Sequence, residues 1–516
     1  MEKTILWADD EMDLLKAHLH FLKEKGYHVI TATNGSDALD IIKTKDVDLV
    51  LLDENMPGFS GLETLTKIKQ IKPDLPVVMI TKSEEESIME DAIGSKISDY
   101  LLKPVNPKQI LLSIKKNLDN KRLISEKTTT NYQQEFRQLG MTLGENLNVE
   151  QWKELYQKLI FWELELEKSQ DESMFEILTM QKNEANTLFF KFIERNYINW
   201  VGGKDIHAPV MSHTLFKNKV APILEENESV YFVLIDNLRY DQWKTISTLT
   251  NELFKIESEE MYYSILPTAT QYARNSLFAG LMPSEIEKKY PKLWVGEEDE
   301  EGKNLHEEEL LVENLRRMGK NYKVSYNKIT NHNAGKKLSE NLSNLNGNKL
   351  NVIVYNFVDM LSHARTEMEI IRELADNEAA YRSITKSWFE HSPLYDILKE
   401  LAHKKAKVII TTDHGTIHVK EPSRVVGDKN TNSNLRYKTG RSLEFIKKDV
   451  FEVKNPADAF LPKQNISSSY IFAKEDKFFA YPNNYNHYVS YYKNTFQHGG
   501  ISLEEVLIPF IVLSPK

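Results

Sequence analysis

The sequence predicts an α/β multidomain chain, because strand-like apolar runs alternate with amphipathic helical patterns at both ends and a purely helical stretch separates them. Residues 1–119 contain the runs TILWA, YHVITA, VDLVLL, LPVVMI and SDYLL, with helical segments such as GSDALDIIKTK and GLETLTKIKQI between them. Five strand–helix repeats in that length fit the flavodoxin-like form of the doubly wound fold. Residues 120–205 lack strand signals. There Trp152, Leu155, Leu159, Trp162 and Leu166 recur at helical spacing, and Phe189, Phe190, Phe192 and Ile193 mark a second apolar face. This stretch reads as a helical bundle or spacer whose role is packing, closed by Gly202-Gly203 and Pro209. Residues 206–516 return to α/β alternation through SVYFVLID, KLNVIVYNFV, AKVIITTD and EEVLIPFIVL. Within them GEEDEEGKNLHEEEL reads as a solvated loop.

Composition narrows the function classes. With 76 acidic and 66 basic residues the formal net charge is −10, which disfavours a protein whose main task is gripping nucleic-acid backbone. No helix-turn-helix pattern lies near the C-terminus, which also argues against direct DNA binding. The chain has no cysteine, so a transition-metal site must use His, Asp, Glu and hydroxyl ligands. The segment MEKTILWADDEMDLL reaches charged residues too soon for a signal peptide. No apolar run approaches the ~20 residues that span a bilayer, so the expectation is a cytoplasmic protein without membrane insertion.

In the first region, Asp9 and Asp10 end the first predicted strand and Asp53 ends the third. Strand ends of a doubly wound sheet converge on one edge, and carboxylates gathered there suit a hard cation such as Mg²⁺. Such a cation would screen an incoming phosphoryl group and the carboxylate that attacks it. Thr81 ends the fourth strand and Lys103 follows the fifth, so a hydroxyl and an ammonium reach the same edge. The stretches WADDE, LLDENMPGFSGLE, VMITKSE and DYLLKP resemble the receiver domain of response regulators. That resemblance implies Asp53 as the phospho-acceptor and Mg²⁺ held by Asp10, Asp53 and the Asn55 carbonyl, with Asp9 in support. It further implies Thr81 and Tyr100 as the switch pair, Lys103 as the family's lysine, a partner sensor histidine kinase, and a homodimer promoted by phosphorylation.

The last region repeats the strategy. Asp236, Asp359 and Asp413 close predicted strands, His414 follows Asp413, His363 lies one helical turn after Asp359, and His498 precedes Gly499-Gly500. Three Asp and three His suit a borderline metal, Zn²⁺ with Mn²⁺ as the alternative, and are enough for two ions ~4 Å apart. Thr268 and Thr270 follow Pro267 and offer a hydroxyl nucleophile. Arg274 and Asn275 follow on the next helix as candidate phosphate-binding residues. The pieces LIDNLRYDQW, PTATQYARNSLFAG, FVDMLSH, TTDHGT and HGGISLEEVLIPF resemble the PglZ domain of the alkaline phosphatase superfamily. By that resemblance Asp236, Thr270, Asp413 and His414 form one metal site, Asp359, His363 and His498 form the other, and Thr270 is the nucleophile.

The order of receiver, spacer and PglZ domain is similar to that of a family of response regulators of type IX secretion. The expectation is a two-component response regulator controlling a two-metal phosphodiesterase or phosphatase, with a phosphodiester or oligonucleotide as substrate. The alternative is a signalling adaptor whose metal domain docks a transcription factor or secretion component without essential catalysis.

Overall fold

The computed structural model describes residues 3–73, 75–82, 97–118, 120–169, 172–297, 302–358, 361, 377–428, 431–463, 465 and 467–516. They form two compact units, one of residues 1–132 with 168–171 and one of residues 133–167 with 172–516.

The first unit is built on strands β1 (Lys3–Ala8), β2 (Tyr27–Ala32), β3 (Leu49–Asp53), β4 (Val77–Thr81) and β5 (Asp99–Leu102). They pair in parallel in the order β2-β1-β3-β4-β5, the flavodoxin-like arrangement that the five runs predict. Both faces are covered, so β3 and β4 are buried at every position and alternation is lost. The helix Gly61–Ile71 begins with a capping box between Ser60 and Glu63. Its Gly61 has a packing reason, since a Cβ there would stand 2.5 Å from the Asp53 carbonyl oxygen and 2.6 Å from the Glu54 Cα.

The second unit holds a six-stranded mixed sheet. Its strands are β6 (Val230–Ile235), β7 (Phe254–Tyr263), β8 (Val324–Ile329), β9 (Leu350–Tyr355), β10 (Lys407–Thr411) and β11 (Leu507–Pro515). The order is β7-β11-β10-β6-β9-β8. The run β10-β6-β9-β8 is parallel, so β6 and β10, the carriers of Asp236 and Asp413, are neighbours that end on the same edge. Strand β11 joins antiparallel to β10, and β7 to β11. The sequence reading missed β7, β8 and the small sheets between residues 417 and 497. Strand β7 carries charged side chains at alternate positions and β8 interleaves Ser325, Asn327 and Lys328, so neither has the continuous apolar run that marked its neighbours.

Helices Val149–Ser169 and Glu172–Val201 follow the predicted periodicity. Trp152, Leu155, Leu159, Leu166, Phe189, Phe190 and Ile193 are buried, and Trp162 and Phe192 are half-buried. Most of these two helices belongs to the second compact unit, and besides apolar packing they bring charge into its core. Arg382 donates to Glu163 at 2.6 Å, to Asp241 at 2.9 Å and to Glu167 at 2.5 Å. Lys182 pairs with Glu163 at 2.8 Å and Glu504 at 3.2 Å, and Arg239 with Asp241 and Glu378. Burial alone would raise the Glu163 carboxyl; Lys182 and Arg382 outweigh it and hold it below the usual range.

Such a network is costly to break from one side, because each lost partner strands a buried charge. Replacing Arg382 with Ala is therefore expected to cost the second unit about 3–5 kcal/mol, read by denaturant unfolding of the full chain. A loss below about 1 kcal/mol would mean that the pairs behave as exposed ones do.

Candidate functional site

In the second unit, ligand atoms of Asp236, Asp413 and His414 lie within 4.8 Å of one another, and all three residues are buried. The loop after β10 is held by its own side chains. Thr412 Oγ1 donates to the His414 carbonyl at 2.9 Å and accepts from the Leu238 N–H at 3.1 Å, which ties the ends of β10 and β6 together. Gly415 lets this loop pass against the chain near the C-terminus, where a Cβ would meet the Glu504 carbonyl oxygen at 2.0 Å. His414 presents Nε2 to the Thr270 hydroxyl at 3.0 Å. Its ring stacks on His498, with centroids 4.3 Å apart. Asp236, Thr270, Asp413, His414 and His498 are thus brought together. Asp359 and His363 lie outside the described residues.

Thr268 and Thr270 are distinguished by their partners. The Thr268 hydroxyl donates to the Gly500 carbonyl at 2.9 Å and accepts from the Gly499 N–H at 3.0 Å, so it pins the HGG turn. Gly499 has φ +117°, and a Cβ on Gly500 would meet the Ala473 carbonyl oxygen at 2.5 Å, so both glycines are demanded by the path of that turn. Thr270 opens the helix Thr270–Ala279, with its hydroxyl on the acidic cluster's histidine.

Two expected phosphate contacts are corrected. The Arg274 guanidinium is fully buried among carboxylates: it touches Asp236, donates to Asp413 at 3.0 Å and reaches Glu307 at 3.5 Å. Burial opposes its charge, and Asp236, Asp413 and Glu307 outweigh that and raise its pKa. In turn, burial would push Asp413 up, but Arg274 and then His414 hold its carboxyl down at about 2. Asn275 spends its amide nitrogen on the carbonyls of Gln271 and Lys303 at 2.9 and 3.2 Å, and its oxygen accepts from Asn304. The acid-rich run expected to be a solvated loop also needs correction, since Glu307 starts the helix Glu307–Arg317 and is 1% exposed. Its HEEEL pattern, acids leading an apolar helix, was the signal available for that helix start.

In the first unit, carboxylate oxygens of Asp9, Asp10 and Asp53 also lie within 4.8 Å of one another. Lys103 Nζ bridges Asp9 and Asp53 at 2.8 Å each. Burial pushes the Asp53 carboxyl up and Asp9 repels its charge, against the pull of Lys103. Asn55 is exposed beside the cluster. Thr81 is fully buried, and its hydroxyl donates to the Glu54 carboxylate. Tyr100, half-buried, shares a hydrogen bond with Thr81. Glu54 is the residue that sequence reasoning passed over.

The first cluster offers carboxylate oxygens alone and the second carboxylates with an imidazole, neither with a thiolate, which fits Mg²⁺ in the first unit and Zn²⁺ or Mn²⁺ in the second. No helix among the described residues is long and apolar enough to cross a membrane.

Comparison with known proteins matches three successive segments of the chain. Residues 215–513 match the family described as the BREX system PglZ alkaline phosphatase-like domain. Residues 122–201 match the PorX response regulator linker domain, and residues 5–115 the response regulator receiver domain. The alkaline phosphatase synthesis transcriptional regulatory protein PhoP of Bacillus subtilis is 33% identical over 117 residues, 22% of this chain and 48% of that protein. The phosphoglycerate transport system transcriptional regulatory protein PgtA of Salmonella typhimurium is 33% identical over 123 residues, 24% of this chain and 30% of its own length. The matches thus span about half and a third of these relatives. Among solved structures, a CheY-like receiver domain from Methanospirillum hungatei is 29% identical, covering 23% of this chain and 96% of that one with a TM-score of 0.23. The receiver domain of NtrX from Brucella abortus is 32% identical, covering 22% and 98% with a TM-score of 0.22.

The acidic cluster of the second unit makes a direct expectation. Asp413→Asn keeps the shape of the side chain and removes its charge, so affinity for Zn²⁺ should fall at least about tenfold, measured by competition with a chromophoric chelator. Unchanged affinity would put the ion elsewhere.

Proposed function

The chain belongs to the PglZ alkaline phosphatase-like family and carries a response regulator receiver domain and a PorX-type linker ahead of it, and on that premise we propose a phosphorylation-controlled phosphodiesterase. The observation that carries this reading is the 3.0 Å approach of the Thr270 hydroxyl to His414, inside a buried group completed by Asp236 and Asp413. Asp236, Asp413, His414 and Thr270 would hold one divalent ion, Zn²⁺ or Mn²⁺. His498 would belong to a second, together with Asp359 and His363. A bound ion there supplies a lowered proton affinity for the hydroxyl and neutralisation of phosphoryl charge.

The chain's own residues do the rest. Thr270 Oγ1 attacks phosphorus and displaces the leaving alcohol, and water then hydrolyses the threonyl phosphoester. Its place on the first turn of a helix sets the positive end of the helix dipole beside the charge that develops. Arg274 keeps Asp413 ionised for this work, and Thr268 keeps the HGG turn in place. A diester with aromatic substituents, such as an oligonucleotide, is favoured by the surroundings of His498. Residues 477–503, which lead into and past it, contain no acidic side chain in a chain with 76 of them. They include the helix Tyr485–Tyr492, on which His487 and Tyr488 are exposed, a surface suited to stacking bases.

In the receiver, Asp53 accepts the phosphoryl group from a sensor histidine kinase, with Mg²⁺ held by Asp10, Asp53 and the Asn55 carbonyl. Asp9 and Lys103 complete the charge balance, and Thr81 and Tyr100 respond. Output by protein contact to type IX secretion is the reading that the PorX-type linker match supports.

The experiment pairs elemental analysis with hydrolysis of bis-p-nitrophenyl phosphate. Thr270→Ala is expected to retain zinc and lose turnover by at least about a hundredfold; full activity in that variant would overturn the assignment. Beryllofluoride with Mg²⁺ is expected to double the sedimenting mass of the full chain, and an unchanged mass would argue against a phosphorylation-driven dimer.

A further inference from the structure

Glu54 directly follows the phospho-acceptor, yet its side chain is buried, 8% exposed. Its backbone is pinned on both sides: its N–H donates to the Ile80 carbonyl at 3.1 Å, and its own carbonyl accepts from the Gly61 N–H at 2.8 Å. Gly61 packs directly against Asp53 and Glu54 with no room for a Cβ, so the loop cannot retreat toward the helix Gly61–Ile71. The carboxylate is therefore held at a set place, and what it meets there is the hydroxyl of the fully buried Thr81. Tyr100 bonds to the same Thr81, so the two switch side chains and Glu54 form one connected group.

A hydroxyl carries a single proton and can donate to one acceptor at a time. Thr81 cannot donate to Glu54 and to a phosphoryl oxygen on Asp53 together. We propose that Glu54 is a positioning residue of the receiver, whose carboxylate holds the Thr81 hydroxyl in the resting arrangement and so sets how far phosphorylation must work to switch the domain. The inference rests on the reading of Asp53 as phospho-acceptor and deepens it. Switching exchanges a charge-assisted bond to Glu54 for one to the phosphoryl group, and the phosphoryl group then faces the Glu54 carboxylate that Thr81 has left. A hydrogen bond to a charged partner shifts an equilibrium on the order of tenfold to a hundredfold, so Glu54 biases the receiver toward rest by that factor.

The test is a double-mutant cycle on the full chain. Glu54→Met, which keeps bulk and removes the acceptor, and Glu54→Gln, which keeps a weaker acceptor, are each made with Thr81 intact and with Thr81→Ala. The probe is beryllofluoride with Mg²⁺, and the readouts are its apparent affinity and the sedimenting mass. With Thr81 intact, Glu54→Met is expected to tighten beryllofluoride binding about tenfold and Glu54→Gln by less. With Thr81→Ala the same changes are expected to tighten binding clearly less, because the held hydroxyl is gone and only the carboxylate's charge is removed. An equal tightening in both backgrounds would mean that only a negative charge beside Asp53 had been removed, and would overturn the proposal. Unchanged or weaker binding with Thr81 intact would overturn it as well. Should Glu54→Met fail to fold, as judged by thermal unfolding, Glu54→Gln carries the cycle. Asp53→Asn separates the two layers. If it abolishes beryllofluoride binding, the phospho-acceptor reading stands whatever the cycle shows; if it binds as the parent does, that reading falls and the proposal with it.

Discussion

Two acidic clusters stand at the carboxyl ends of parallel strands in two sheets, and each is tolerated because one largely buried cation lies between its carboxylates. Aspartates gathered in low dielectric repel one another strongly, and they stay ionised only where a positive charge is within contact. In the receiver that charge is Lys103, 2.8 Å from both Asp9 and Asp53. In the PglZ domain it is Arg274, which touches Asp236, Asp413 and Glu307. The compensation is partial in both cases: Asp9, Asp10 and Asp53 share Lys103, and Asp236 and Asp413 share Arg274, while Glu307 also pairs with Lys328 at 3.0 Å, so each edge still attracts a further cation. That residual charge, more than any one ligand, suits these strand ends to a divalent cation.

The same electrostatic logic organises the packing behind the PglZ site. Asp241 follows β6 and Asp236 closely in sequence, and Glu504 follows His498. Glu378 and Arg382 lie on the helix Glu378–Glu390. All four meet the long helices or one another through Glu163, Lys182 and Arg239. Asn186 adds a neutral tie, accepting from the Leu503 N–H at 2.8 Å and donating to Glu504 at 3.1 Å. Hydrophobic packing alone is forgiving of small displacements, whereas a buried ionic network demands one geometry. The helices of the PorX-type linker therefore take part in holding the segments that carry the site.

Legibility in the sequence followed distance along the chain. Asp53, Thr81 and Asp413 could be read because each directly ends an apolar run, and the period of the run places the residue at the sheet edge. Thr270 was favoured over Thr268 by resemblance, and the partners of Thr268 on Gly499 and Gly500 supply the physical reason. Arg274 was misread because the carboxylates it serves lie 33 to 139 residues away. Glu307 was misread because an acid run is normally solvated. Glu54 was passed over because nothing local distinguishes a buried glutamate from an exposed one. Strands β7 and β8 were missed because their charged and polar residues interrupt the apolar run.

The sequence by itself determined the domain order, the two sheets' main parallel strands, and the residue types available for chemistry at their ends. These follow from short-range patterning: apolar periodicity, strand-end polar residues, and glycines at turns that admit no Cβ. Only the tertiary structure decided which charges neutralise which, and so which polar side chains are spent internally and which face the site. That choice depends on contacts between residues far apart in the chain, whose energies are set by burial and by the full set of neighbours, and no local pattern encodes them.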